Sequence, residues 1–233
     1  MDRKPIEGSL IVLEGGDGSG KGTQVDLLKD RLEESGYTVR VYDFPRYDTF
    51  FGQEVGALMR GEYGSLNKVH PFLAAMLYAG DRLDAAPQMK ADLKGGCVVL
   101  CNRYVASNLA HGGAKYLSMA EAARFIQKVE FMEYGVNNLP VPDLQLFLDV
   151  PVEYAQEMLA SKGERVYLRG KGVDLAEADL GHQEKAVWMY RWLCENRQNF
   201  VRIECEQLGD VDVEKEFRHE LIWAEICHSF VVK

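Results

Sequence analysis

The chain has 233 residues, of which 47% are hydrophobic and 27% charged, with a formal net charge of −9 at pH 7. That composition suits a folded globule with a sizeable core, and its acidic balance argues against a surface that coats nucleic acid. No run approaches 18 consecutive apolar residues, and the first apolar run is too brief for a secretory signal, so the reading is no membrane span and a cytoplasmic protein.

In chain order, residues 9–13 (SLIVL) read as a buried strand stopped by glycines. Residues 13–24, LEGGDGSGKGTQ, place five glycines and one lysine directly after it. Val25, Leu28 and Leu32 then recur at helical spacing, with Gly36 placed to end that helix. Residues 37–44 (YTVRVYDF) form a second strand stopped by Pro45, and Val55, Leu58 and Met59 suggest a short helix ending near Gly61. Pro71 suits a first helical turn and opens a longer helix that is interrupted at Pro87 and finishes at Gly95 and Gly96. Residues 97–101 (CVVLC) are a third, wholly apolar strand.

Ser118 and Glu121 have capping-box spacing, and Phe125, Ile126, Val129 and Met132 follow on one side of the helix they start. Residues 144–150 (LQLFLDV) are a fourth strand, after which Pro151 can start a helix. Residues 161–175 are basic and punctuated by glycine, without a sustained period. A long helix from about residue 177, a fifth strand at 200–205 and a last helix over 213–226 complete the chain. Strands alternating with helices predict one parallel sheet covered on both faces, hence an α/β fold in a single domain spanning 1–233.

The five cysteines contain no C-x-x-C pair, and Cys97 and Cys101 lie roughly 13 Å apart along one extended strand, too far for a disulfide. They read as reduced, small apolar fillers, and the five histidines show no zinc spacing. The glycine-rich stretch carries the chemistry. Between a strand and a helix, backbone N–H groups converge on an anion, and glycine lets them approach without a Cβ in the way. Gly15-x4-Gly20-Lys21 fits a phosphate loop, with Lys21 reaching the terminal phosphates and Gly16, Asp17, Gly18 and Ser19 within the cradle. Gly22 stands where a hydroxyl usually meets magnesium, which leaves Thr23 as the nearby metal candidate.

Arg46 follows the second strand and Arg103 the third. Ligands of open α/β sheets bind beyond the carboxyl ends of strands, so these two arginines could grip one phosphate. Spacing alone leaves each a plain surface residue too. Likewise Tyr78 fits a helix core as well as a ligand wall, and Arg82 fits an ion pair with Asp81 or Asp84.

Taken together, LEGGDGSGKGTQ, DFPRYDTFFGQEV, LYAGDR, NRYVASNLAHGGAK, PDLQLFLDV and GERVYLRGKGVDLAEAD resemble the thymidylate kinases of the bacterial kind, over about residues 9–205. The resemblance implies a P-loop NTPase with a five-stranded parallel sheet and a mobile lid at 161–175. It implies transfer of a phosphoryl group from ATP to dTMP with magnesium, in a homodimer that does not bind nucleic acid. By position it assigns Lys21, Gly20, Gly22 and the loop to ATP, Asp17 to the sugar 3′-hydroxyl, and Arg46 with Arg103 to the acceptor phosphate. It assigns Phe44, Tyr78 and Arg82 to the base, and Ser107, Asn108 and His111 to the base and sugar pocket. Gly18 stands where some members carry an arginine, so Arg165 and Arg169 in the lid become the candidates for transition-state charge. Asn102 replaces the usual aspartate beside Arg103, keeping an acceptor but no charge. The alternatives are a kinase acting on dUMP, dCMP or a deoxynucleoside, or a nucleotide-binding protein without turnover.

Overall fold

The computed structural model describes residues 3–65, 68–160, 179–205 and 211–232. In chain order the elements are β1 (Lys4–Pro5), β2 (Leu10–Gly15), α1 (Lys21–Glu34), β3 (Val39–Asp43), α2 (Phe50–Met59), α3 (Pro71–Lys94), β4 (Val98–Asn102), α4 (Val105–Gly113), α5 (Met119–Glu130), a π-helical turn (Phe131–Val136), β5 (Leu144–Asp149), α6 (Val152–Ala160), α7 (Leu180–Asn196), β6 (Phe200–Glu204), α8 (Val211–Ser229) and β7 (Phe230–Val231). The five longer strands form one parallel sheet in the order β3-β4-β2-β5-β6, as the alternation of elements predicts. A short parallel pairing of β1 with β7, which sequence patterning did not suggest, clasps the two ends of the described chain.

Side chains alternate across a strand, and that period sorts the core into two layers. Leu10, Val12, Val99, Cys101 and Phe147 face one side, against Ala75 and Met89 of α3, Leu109 of α4, Ile126 of α5 and Tyr190 of α7. Ile11, Leu13, Val98, Leu100 and Leu146 face the other, against Leu28 of α1 and Ile222 of α8. Both faces being covered explains why the strands read as unbroken apolar runs.

Register decides where the functional edge falls. Leu13 and Asp43 both pair with Asn102, so β2, β3 and β4 run out level with one another. The chain leaving each of them, at the glycine loop, at Phe44 and at Arg103, therefore emerges along a single edge.

Several helix limits depart from the sequence reading for identifiable reasons. α2 starts at Phe50 because Thr49 caps it, its hydroxyl accepting the Gly52 N–H at 3.2 Å. α3 runs through Pro87 instead of breaking there. Proline removes one donor, and the carbonyl that loses a partner belongs to Leu83, on the solvent-facing side of the helix with the residue 45% exposed. The Ser118 hydroxyl caps α5 as the spacing implies, accepting the Glu121 N–H at 3.3 Å and donating to the Glu121 carboxylate at 2.7 Å. Beyond Glu130, however, the α5 helix widens into the π turn. α7 begins at Leu180, capped by Asp179, and α8 spans more than the predicted 213–226.

The start of α2 lies almost in contact with the loop before it: a Cβ at Gly52 would stand 1.7 Å from the Arg46 carbonyl oxygen. Gly52→Ala is expected to cost about 3 kcal/mol, lowering Tm by roughly 6–12 °C in calorimetry. An unchanged Tm would mean that the Arg46 turn yields without cost.

Candidate active site

The loop after β2 owes its shape to backbone freedom at two points. Gly18 and Gly20 sit at φ +82° and +84°, left-handed values that favour glycine. At Gly18 space is also denied, since a Cβ would fall 2.1 Å from the Ala155 carbonyl oxygen. Gly20 caps α1 without any side-chain acceptor, and the first turn of α1 contains no acid. Its N–H groups and dipole thus face the cleft uncompensated, which is the requirement for an anion site. Lys21 folds back over the loop, its Nζ donating to the carbonyls of Gly15 at 3.1 Å and Gly16 at 2.6 Å and to Ser19 Oγ at 3.2 Å.

Glu14, the fifth residue of β2, is wholly buried. Its Oε1 accepts the N–H groups of Tyr104 at 2.8 Å and Ser107 at 3.2 Å. Its Oε2 accepts the hydroxyls of Ser107 at 2.7 Å and Tyr190 at 3.0 Å. A buried carboxylate here caps α4, whose own N-cap residue supplies no side-chain bond. To reach that cap directly from β4, the chain turns at Arg103 with φ +64°, an uncommon value for a residue with a side chain.

Arg103 in turn donates Nη2 to Asp17 and Nη1 to Ser107 Oγ at 3.3 Å. Gln183 of α7 donates to the other Asp17 oxygen at 3.2 Å. Desolvation would lift the Asp17 carboxyl, but Arg103, Lys21 and His111 outweigh it and hold the group well below the usual carboxylate range. The same ion pair keeps the Arg103 guanidinium above its ordinary value despite desolvation.

Asp17, Lys21, Arg103, Ser107 and His111 line one cavity of about 350 Å³. At one end stand Asp17, Gly18, Gly20, Lys21 and Gly22. At the other are Phe44, Tyr78, Arg82 and Asn108, with Ser107 and His111 along the α4 wall. Phe44 is buried and stacks on Tyr42 with ring centroids 6.3 Å apart. Tyr78 is only partly buried and reaches Met59 Sδ at 3.6 Å. Arg82 is no surface residue. Only 1% exposed, it pairs with the wholly buried Glu133 of the π turn. Burial alone would lower the Arg82 guanidinium, but Glu133 more than reverses it.

The structure does not bring the two expected arginines together at the cavity. Arg103 lines the cavity and Arg46 does not. The Arg46 N–H and Nε donate to Asp81 at 2.8 and 3.0 Å, and Nη2 donates to Asp84 at 2.7 Å. A buried carboxylate on α3 thus claims the guanidinium that strand-end placement assigns to a ligand. Thr23 is exposed and also outside the cavity. Arg165 and Arg169 lie outside the described residues.

Asn102 lines the cavity, and its buried Oδ1 has no hydrogen-bond partner. Beside it, Asp43 is lifted above its ordinary value by burial, against the pull of Arg103 and a hydrogen bond from Asn102. Asp43, Lys115 and His182 are cavity residues that the sequence reading passed over. It also passed over Glu14 and Glu133, buried behind the cavity wall and each an acid on an otherwise apolar pattern: Glu14 ends the SLIVL run, and Glu133 continues the 126, 129 helical stripe. That mismatch was the available signal.

Comparison with known proteins agrees with this geometry. The family described as Thymidylate kinase matches residues 13–172. The thymidylate kinase of Mycobacterium tuberculosis is 34% identical over 195 residues, covering 79% of this chain and 89% of its own length. A probable thymidylate kinase of Pyrococcus abyssi is 32% identical, covering 68% and 73%. Among solved structures, a thymidylate kinase from Candida albicans superposes with a TM-score of 0.69 at 21% identity, over 95% of this chain and 94% of that one, which shows the shared fold.

His111 supplies a pH test. Burial, then Arg103, push its imidazole down to about 3, with His182 and Lys21 adding to the effect and Asp17 opposing it. An unfolded histidine titrates near 6.5, so below that pH the unfolded chain binds a proton that the folded site refuses. Stability should therefore fall as pH drops from 6.5 toward 4, above the range in which Asp17 begins to lose its charge in the unfolded chain. In urea titrations His111→Asn is expected to flatten that decline, and an unchanged slope would contradict a neutral His111.

Proposed function

The chain belongs to the thymidylate kinase family, and from that premise we propose how its cleft moves a phosphoryl group from ATP to dTMP, giving ADP and dTDP. The observation that carries the reading is continuity: a single cavity joins the glycine loop to the compartment of Tyr78, Arg82 and Asn108. Donor phosphates take the N–H groups at the start of α1, with Lys21 turning from its loop carbonyls to the transferring group. The acceptor phosphate takes Arg103, and Asp17, released from that arginine, takes the sugar 3′-hydroxyl. Phe44 and Tyr78 flank the base while Arg82 meets its carbonyl edge, and Ser107 and His111 complete the wall.

In this arrangement an acceptor phosphate oxygen attacks the γ-phosphorus. As that bond forms, the bond from the γ-phosphorus to the bridging β-oxygen breaks, and ADP departs with its electron pair. The attacking oxygen is already ionised, so no general base is required, and catalysis rests on positioning and on neutralising charge. Asp43 and the orphaned Asn102 Oδ1 are hard oxygen donors at the loop end, and they fit magnesium better than exposed Thr23. Magnesium there would neutralise phosphate charge.

We further read the chain as one kinase domain, cytoplasmic and homodimeric. No described helix is long and apolar enough to cross a membrane. Leu73, Met76 and Leu83 recur at helical spacing on α3 with 59%, 48% and 45% exposure, an unpartnered stripe suited to a twin helix.

With ATP and magnesium, coupled release of ADP should be strongest for dTMP among dTMP, dUMP, dCMP, AMP and thymidine. Preference for another acceptor would redirect the assignment, and dTMP binding without dTDP would indicate a non-catalytic protein. Lys21→Ala should lower kcat by about 10²–10³-fold, because it removes a charge felt mainly in the transition state. Near-normal turnover would contradict the loop's role.

A further inference from the structure

Glu133 is not part of the cavity lining, yet it bonds to two residues that are. Its Oε2 accepts Arg82 Nε at 3.1 Å, while its Oε1 accepts Arg82 Nη2 and, at 2.9 Å, Asn108 Nδ2. Asn108 Nδ2 also donates to the Ala75 carbonyl at 3.0 Å. A carboxylate and a backbone carbonyl are both acceptors, so the nitrogen end of the amide has to face them. Both of its N–H bonds are thereby used, and only Oδ1 is left to meet a ligand. Arg82 has five N–H donors. Two go to Glu133 and a third, on Nη1, to the Tyr104 carbonyl at 3.2 Å. The others stay available at the cavity wall.

We propose that Glu133 is a positioning residue that sets base selectivity, fixing Asn108 as a pure acceptor beside Arg82 as a pure donor. The proposal rests on the dTMP reading of this cavity and explains how the pocket would enforce it. Thymine and uracil carry a carbonyl next to a ring N–H, which complements a donor next to an acceptor. Cytosine carries an amino group next to an unprotonated ring nitrogen. It would set donor against donor at Arg82 and acceptor against acceptor at Asn108, two mismatches in a site that excludes water. Sites built on such polar pairs reject the wrong partner far more strongly than apolar pockets do. The π turn is what brings the acid into place, and one buried carboxylate is the partner that both reading groups share.

Glu133→Gln tests this directly. Glutamine keeps the shape but removes the charge and replaces one acceptor oxygen with an N–H₂ group, so Arg82 and Asn108 lose the shared carboxylate and the amide is held by the Ala75 carbonyl alone. The expected result is a rise of about tenfold or more in KM for dTMP, KM for ATP within about twofold, and a rise of about tenfold in the ratio of kcat/KM for dCMP to that for dTMP. Glu133→Asp keeps both acceptor oxygens and the charge on a shorter stem. It should hold that ratio within about threefold of the unaltered enzyme while raising KM for dTMP severalfold. A folded Glu133→Gln protein with an unmoved ratio overturns the proposal, since a purely structural glutamate would alter stability and not selectivity. Should Glu133→Gln fail to fold, the aspartate variant decides, and an unchanged KM for dTMP in it overturns the proposal. Absence of dTMP turnover in the unaltered enzyme would sink the functional reading itself, whereas normal turnover with fixed selectivity sinks only the role of Glu133.

Discussion

One buried carboxylate organises the functional edge of the sheet. Glu14 receives four hydrogen bonds, two from the backbone at the start of α4 and two from the hydroxyls of Ser107 and Tyr190. An ionised side chain without those donors would be costly at zero exposure, so strand, helix and Tyr190 are bound to a common geometry. The left-handed turn at Arg103 follows from it, because the chain must leave β4 and reach the cap within two residues. Strain of this kind survives only where the surroundings over-determine it. Here they do, and the result is a guanidinium aimed at the glycine loop.

The cleft balances its charges in pairs before any substrate arrives. At the glycine-loop end Arg103 holds Asp17, and at the far end Arg82 holds Glu133. The two pairs differ in what a ligand can do to them. Arg103 and Asp17 keep 18% and 19% of their side-chain surface, so an incoming anion can compete for the arginine. Arg82 and Glu133 keep 2% and 0%, and parting them would strand a charge in a dry interior. One pair is suited to exchange partners and the other to stay fixed, which matches transfer at one end and recognition at the other.

Much of this was readable from the chain itself. Unbroken apolar runs marked a sheet buried on both faces, and the glycine loop, Pro71 and the Ser118 box marked helix starts through local chemistry that needs no distant partner. The cavity also collects most residues named in advance, from Asp17 and Lys21 to Tyr78, Arg82, Asn108 and His111. What escaped depends on contacts remote in sequence. Arg46 was claimed by Asp81, 35 residues away, and no spacing rule reveals such a partner. Pro87 looked like a break because local propensity ignores whether the orphaned carbonyl can reach water. Glu14 and Glu133 were visible as charges in apolar stretches, but the donors that satisfy them lie 90 and 51 residues away.

Gly18 bears on the history open to this loop. With a left-handed backbone and a main-chain oxygen of α6 2.1 Å from the place of a Cβ, any side chain there is strained and requires α6 to shift. Any lineage moving a cation into the loop at that point would first have to displace α6, a step with no benefit of its own. Selection would therefore meet a valley between the two designs, and a chain with this glycine is committed to drawing its remaining positive charge from elsewhere.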